Sequence, residues 1–95
     1  VKIFAIDIDG TLTIETDGWK YSERTPNLKR IRGVNKLYNE GHRIVLFTAR
    51  YAVDKEITEQ WLELHGVLYH ELILGKIQYD AIIDDRSLPL EFLET

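Results

Sequence analysis

The chain contains no cysteine and no methionine. Without thiols it can form neither a disulfide nor a thiolate metal site, so any metal must be held by oxygen or imidazole. Its three histidines, His42, His65 and His70, fall at element boundaries with no shared spacing, which argues against an imidazole site. Carboxylates remain, and they favour a hard cation such as Mg²⁺. No apolar run approaches the roughly 20 residues of a membrane span, and no signal-peptide pattern opens the chain. A cytoplasmic location with no membrane partner is the plain expectation. Excess positive charge is also missing. The net charge of −4 gives no general attraction to nucleic acid or anionic lipid. The one basic cluster, Lys29, Arg30 and Arg32, reads as a solvated helix face. The first residue is Val1 rather than methionine, which points to a longer parent protein.

What is present is a globular composition, 44% hydrophobic and 29% charged over 95 residues. That length makes a single domain, residues 1–95, able to bury about 65% of the surface its unfolded chain exposes.

The most informative stretch is Asp7-Ile8-Asp9-Gly10-Thr11, directly after Val1–Ile6. Five of those first six residues are apolar and three are β-branched, so the run reads as a buried strand. The strand therefore delivers two carboxylates to the carboxyl end of a sheet and then turns on a glycine. In open α/β sheets that edge is where ligands bind. Two like charges held there are costly unless a cation or proton is shared between them.

A βα alternation continues along the chain. Residues 12–24 are polar and irregular, with Asp17-Gly18 as a turn signal. Thr25-Pro26 opens a helix, threonine as N-cap and proline at the first helical position. Leu28, Ile31, Val34, Leu37 and Tyr38 follow at helical spacing, and Gly41 ends that helix. His42–Thr48 is a second strand. Asp54 caps a second helix with Ile57, Trp61 and Leu64 as its buried stripe, stopped by Gly66. Val67–Leu74 contains a short strand, and Ala81-Ile82-Ile83 is a last one, ending in Asp84 and Asp85. Residues 87–94 form a short helix or an extended tail. Strands alternating with helices through tight loops imply a mostly parallel sheet with right-handed crossovers. Polar residues then recur where each apolar run stops, at Asp7/Asp9, Thr48 and Asp84/Asp85.

Taken together, Asp7-x-Asp9-Gly10-Thr11, Thr48 after an apolar strand, Gly75-Lys76 and Ile83-Asp84-Asp85 resemble the four motifs of the haloacid dehalogenase superfamily of phosphohydrolases. They stand in the family's order and span nearly the whole chain. The resemblance implies an α/β, Rossmann-like fold of HAD type: an open, mostly parallel sheet flanked by helices. It also implies an enzyme, a Mg²⁺-dependent phosphomonoester hydrolase.

In such an enzyme Asp7 would be the nucleophile, taking the phosphoryl group onto its own oxygen. Asp9 would protonate the departing alkoxide and later deprotonate water. Positions 7 and 9 of an ideal strand share a face, so both side chains can address one phosphorus. Thr48 would donate its hydroxyl to a phosphoryl oxygen, and Lys76 would offset negative charge. By the same resemblance Asp7, the backbone carbonyl of Asp9, Asp84 and Asp85 would hold the metal, with Asp85 as the direct ligand and Asp84 acting through water. Gly10 and Thr11 would offer backbone N–H groups to phosphate oxygens. Ala49, Arg50 and Arg86, each just beyond a motif, would lie at the substrate edge, the arginines either on a second anionic group or paired with nearby acids such as Asp54 or Glu71.

Each residue has a plainer reading on its own. Acidic pairs end strands and form turns, threonine caps, and lysine after glycine is usually solvated.

Neither intermotif gap has room for a cap domain, which resembles the minimal capless branch. That branch takes large substrates or closes its site by homo-oligomerisation, and Phe92 and Leu93 could make such a contact. Trp19, Lys20 and Tyr21 in the loop could touch a leaving group or anchor the loop. The strings Phe47-Thr48-Ala49-Arg50 and Ile83-Asp84-Asp85-Arg86 resemble short phosphatases found with surface-polysaccharide and sugar-nucleotide enzymes. They are also similar to the phosphatase part of polynucleotide kinase-phosphatases. The acidic balance favours a small sugar- or polyol-phosphate over nucleic acid. A receiver-like phosphoacceptor module is the non-enzymatic alternative, although the second strand ends in Thr48 and lacks a receiver's acceptor aspartate.

Overall fold

The computed structural model describes residues 1–14, 20–77, 79–84, 86–87 and 93–94. Three strands and two helices alternate: β1 (Ile3–Asp7), α1 (Leu28–Asn39), β2 (Arg43–Phe47), α2 (Lys55–Leu64) and β3 (Glu71–Ile73). Single 3₁₀ turns lie at Tyr21–Glu23 and Ala52–Asp54. The strands form one parallel sheet in the order β1-β2-β3. In register, Asp7 stands level with Phe47, and Phe47 with Ile73. All three carboxyl ends therefore reach the same edge.

Side chains alternate across a strand, and here the alternation sorts β1 cleanly. Ile3 and Ala5 are exposed, whereas Phe4, Ile6 and Ile8 pack into or against the core. That core joins Ile8, Ile44 and Leu46 to Ile31 and Val34 of α1 and to Trp61 and Leu62 of α2. Both helices thus cover one face of the sheet.

The helix ends are set by local chemistry. Asn27 is the N-cap of α1, its Oδ1 accepting from the Arg30 N–H at 3.1 Å. This corrects the expected Thr25-Pro26 start by two residues. The reason lies in the loop. The Thr25 carbonyl accepts from the Ile14 N–H at 2.8 Å, and Pro26 bridges Thr13, so both residues are committed to a short antiparallel tie. At the other end Gly41 takes φ 93°, a left-handed conformation that costs a residue with Cβ. There the N–H groups of Gly41 and His42 close back on Tyr38 and Leu37, ending the helix with its last carbonyls satisfied. Gly66 and Val67 end α2 the same way on Glu63 and Leu62.

Two further expectations change. The buried face of α2 is Thr58, Trp61 and Leu62, while Ile57 and Leu64 are 42% and 76% exposed. The inward stripe includes a polar residue, so counting apolar positions rotated the face. Ala81–Ile83 is not a strand among the described residues; Ile83 makes only an isolated bridge and Ile82 is exposed. An apolar run supplies side chains for a strand but not the neighbour that makes it one. Within the tail, Leu93 is exposed, and Phe92 lies outside the described residues. No helix among the described residues is long and apolar enough to cross a membrane.

Candidate active site

Two carboxylates, each held by a base, mark the carboxyl edge of the sheet. Asp7 is the last residue of β1. Its Oδ1 lies 3.0 Å from the Lys76 ammonium, a half-buried ion pair joining the first strand to the segment after the last. Lys76 is placed by backbone bonds rather than by its own loop. The Gly75 N–H donates to the Arg50 carbonyl at 2.8 Å and the Lys76 N–H to the Thr48 carbonyl at 3.0 Å, hanging this segment on the end of β2. The ammonium also sits 4.1 Å from the centre of the Phe47 ring and 5.5 Å from that of Tyr79, where the negative ring faces attract a cation.

Asp9 follows the buried Ile8, and both of its oxygens accept from Arg50. The Arg50 Nε–Oδ2 distance is 2.9 Å and the Nη2–Oδ1 distance 2.7 Å. The turn after Asp9 closes on itself: Thr11, Leu12 and Thr13 N–H groups converge on the Ile8 carbonyl. The Gly10 N–H donates to Thr13 Oγ1 at 3.0 Å. From outside, Arg30 Nη1 donates to the carbonyls of Gly10 and Thr11 at 3.1 and 3.2 Å. The N–H groups of Gly10 and Thr11 are spent inside the turn, which they stiffen.

Asp7, Asp9, Thr48, Ala49 and Lys76 line one cavity of about 290 Å³, together with Ile77 and Tyr79. Thr48 is buried. Its Oγ1 accepts from the Arg50 N–H at 3.2 Å, which leaves its own proton available to a ligand. The cavity thus combines two carboxylates, a hydroxyl and an ammonium, the groups needed to bind and transfer an anionic centre.

The other expected residues stand elsewhere. Arg50 is 2% exposed and is paired with Asp9, an acid other than those expected as its partners. Asp84 and Arg86 are exposed and are not among the cavity's lining residues. The Asp84 Oδ1 instead accepts from the Arg86 backbone N–H at 2.6 Å. Asp85 and Trp19 lie outside the described residues. Among the described residues no group of three or more His, Cys, Asp or Glu side chains forms a metal site. Asp7 supplies a carboxylate to the cavity, a donor suited to a hard cation, whereas both Asp9 carboxylate oxygens are held by Arg50.

Sequence reasoning passed over Tyr79, Ile77 and Thr58. The first two follow Lys76 closely, which was the available signal; nothing in the sequence marks Thr58 as a partner of Arg50.

No protein-family description matches the chain, and no curated protein does. Solved structures do. The crystal structure of an MCSG target from Vibrio cholerae is similar with a TM-score of 0.78 and 29% identity, over 99% of this chain and 94% of that one. A structure of the Pnkp1/Rnl/Hen1 complex gives 0.71 at 22% identity, over 98% of this chain and 34% of that one. A structure of the Pnkp1/Rnl/Hen1 RNA repair complex gives 0.68 at 22%, over 77% of this chain and 25% of that one. The shared feature is the fold, a small α/β arrangement around a parallel sheet.

Proposed function

We propose that the chain is a phosphomonoester hydrolase of haloacid dehalogenase type that works through an aspartyl-phosphate on Asp7. One observation carries the reading. Asp7, Asp9, Thr48 and Lys76, drawn from three separate segments, line a single cavity at the carboxyl edge of a parallel sheet.

An Asp7 oxygen attacks phosphorus while the bond from phosphorus to the leaving oxygen breaks. Asp9 gives that oxygen its proton. Water then attacks the phosphorus of the aspartyl-phosphate, Asp9 takes its proton, and inorganic phosphate leaves with Asp7 restored. Thr48 donates its hydroxyl to a phosphoryl oxygen, and the Lys76 ammonium offsets charge shared by nucleophile and phosphoryl group. Mg²⁺ is the proposed cofactor; Asp7 and the backbone carbonyl of Asp9 would hold it, with Asp84 and Asp85 as remaining donors. When bound it supplies a positive charge that lets a phosphate dianion approach a carboxylate.

The favoured substrate is a small sugar- or polyol-phosphate, such as one linked to surface-polysaccharide or sugar-nucleotide metabolism, because the chain is acidic overall. Polynucleotide 3′-phosphate hydrolysis is the second reading. The fold shared with structures of an RNA repair complex favours it.

Turnover of p-nitrophenyl phosphate with Mg²⁺, with EDTA and in Asp7→Asn tests the reaction. Metal-dependent turnover abolished in Asp7→Asn supports it. No turnover on that ester, sugar phosphates, nucleotides or a 3′-phosphorylated oligonucleotide, with stable phosphorylation by a small phosphodonor, favours a receiver-like module instead. The same panel separates the two substrates.

A further inference from the structure

We infer that Arg50 is the positioning residue for Asp9, a buried clamp that fixes the proton-transferring carboxylate from behind. The inference rests on the hydrolase reading given above and adds to it a role for a side chain that is 1% exposed.

Each of the three guanidinium nitrogens has a partner. Nε and Nη2 grip the two Asp9 oxygens, and Nη1 donates to Thr58 Oγ1 at 3.0 Å. Thr58 in turn donates its own proton to the Asp54 carbonyl at 2.8 Å, so its oxygen is oriented to accept. The Tyr21 ring lies 3.9 Å from the guanidinium carbon, a stacking distance for a planar cation. A two-bond fork sets the plane of a carboxylate as well as its position, which a single bond or a lysine cannot do. The side chains are also unequal in exposure: 1% for Arg50 against 30% for Asp9. The buried member is anchored on three sides, and the accessible member faces the cavity. Arg50 therefore dictates where Asp9 points.

This arrangement links remote residues to the proton transfer. Thr58 on α2 and Tyr21 in the 3₁₀ turn both meet Arg50, which holds Asp9. Loosening either should misplace the acid without altering the nucleophile or the phosphoryl contacts. A bidentate pair uses two of a carboxylate's acceptor sites and leaves others for the proton that passes to the leaving oxygen.

The test compares wild type, Asp7→Asn, Asp9→Asn, Arg50→Lys, Thr58→Val and Tyr21→Leu on p-nitrophenyl phosphate and on an alkyl phosphate, whose leaving group needs the acid more. Wild-type turnover that is lost in Asp7→Asn sustains the hydrolase reading whatever the clamp variants do; its absence ends both. For Arg50→Lys and Thr58→Val, the single-turnover rate of phosphoryl transfer to Asp7 should fall about 10- to 100-fold with the alkyl ester and about threefold or less with the nitrophenyl ester, with KM within about twofold. Arg50→Lys combined with Asp9→Asn should be no slower than Asp9→Asn alone, since residues acting through one group do not add. In the metal-free protein, the Arg50 Nε–H resonance should be protected from exchange and should shift in Asp9→Asn. If Arg50→Lys fails to fold, Thr58→Val and Tyr21→Leu decide the matter. A rise in KM at unchanged kcat, losses that multiply in the double variant, or an Arg50 signal indifferent to Asp9→Asn would overturn the assignment.

Discussion

Lys76 Nζ stands 3.0 Å from Asp7 Oδ1 and 4.1 Å from the Phe47 ring centre, so one ammonium ties the end of β1 to a side chain at the end of β2. The pair is half-buried, which gives it more weight in binding an anion than in holding the fold. Lys76→Met should lower kcat by about 10²- to 10³-fold through loss of charge stabilisation. The same change should cost under about 1 kcal/mol of stability. Steady-state rates and urea unfolding on one preparation check both numbers; a large stability loss with intact kcat would reverse the assignment.

Asp9→Asn removes a transferable proton and keeps the side chain's shape. The single-turnover rate of phosphoryl transfer to Asp7 should drop about 10²- to 10⁴-fold for an alkyl phosphate and much less for the nitrophenyl ester, which leaves without help, while hydrolysis of the shared aspartyl-phosphate slows alike for both. Equal losses on the two esters would contradict the acid role.

His70 and Ile44 exchange two hydrogen bonds. The His70 N–H donates to the Ile44 carbonyl at 2.9 Å, and the Ile44 N–H donates to His70 Nδ1 at 3.0 Å. Tyr38 stacks on the imidazole with ring centres 4.5 Å apart. His70→Ala strands the N–H of a buried strand residue and should cost about 1–3 kcal/mol. His70→Asn offers a replacement acceptor at similar reach and should cost less. Urea midpoints of the two variants test the order.

Burial raises the Tyr69 phenol above the usual tyrosine value of 10.0, and the charges of Glu59 and Glu63 push it the same way. The folded state therefore keeps its proton longer than the unfolded chain, and deprotonation favours unfolding. Stability should fall as pH rises from 10.0 toward the folded value. Tyr69→Phe should flatten that alkaline decline, read as the urea midpoint against pH. Identical slopes for the two proteins would refute the coupling.

Much of the scaffold could be read directly from residue order. Val1–Ile6 and His42–Thr48 are dense in apolar and β-branched residues, and β1 and β2 form within them. Gly41 and Gly66 stop the helices because a left-handed residue is needed at each end. Errors arose where a tertiary partner outweighed a local preference. Thr25 and Pro26 have the chemistry of a helix start, but Ile14 and Thr13 claim them first. Thr58 displaced Ile57 from the inner face of α2, where Arg50 meets its hydroxyl.

Sequence alone determined which groups are available: carboxylates rather than thiolates, placed where apolar segments end, and a lysine following a glycine. It could do so because strand ends and turns follow from neighbours a few positions apart. Folding decided what those groups face. It turned Arg50 inward onto Asp9 and consumed the N–H groups of Gly10 and Thr11 within their own turn. It also carried Lys76 to Asp7 from the far end of the chain. Side-chain direction depends on packing between segments distant in the chain, and no local pattern encodes it.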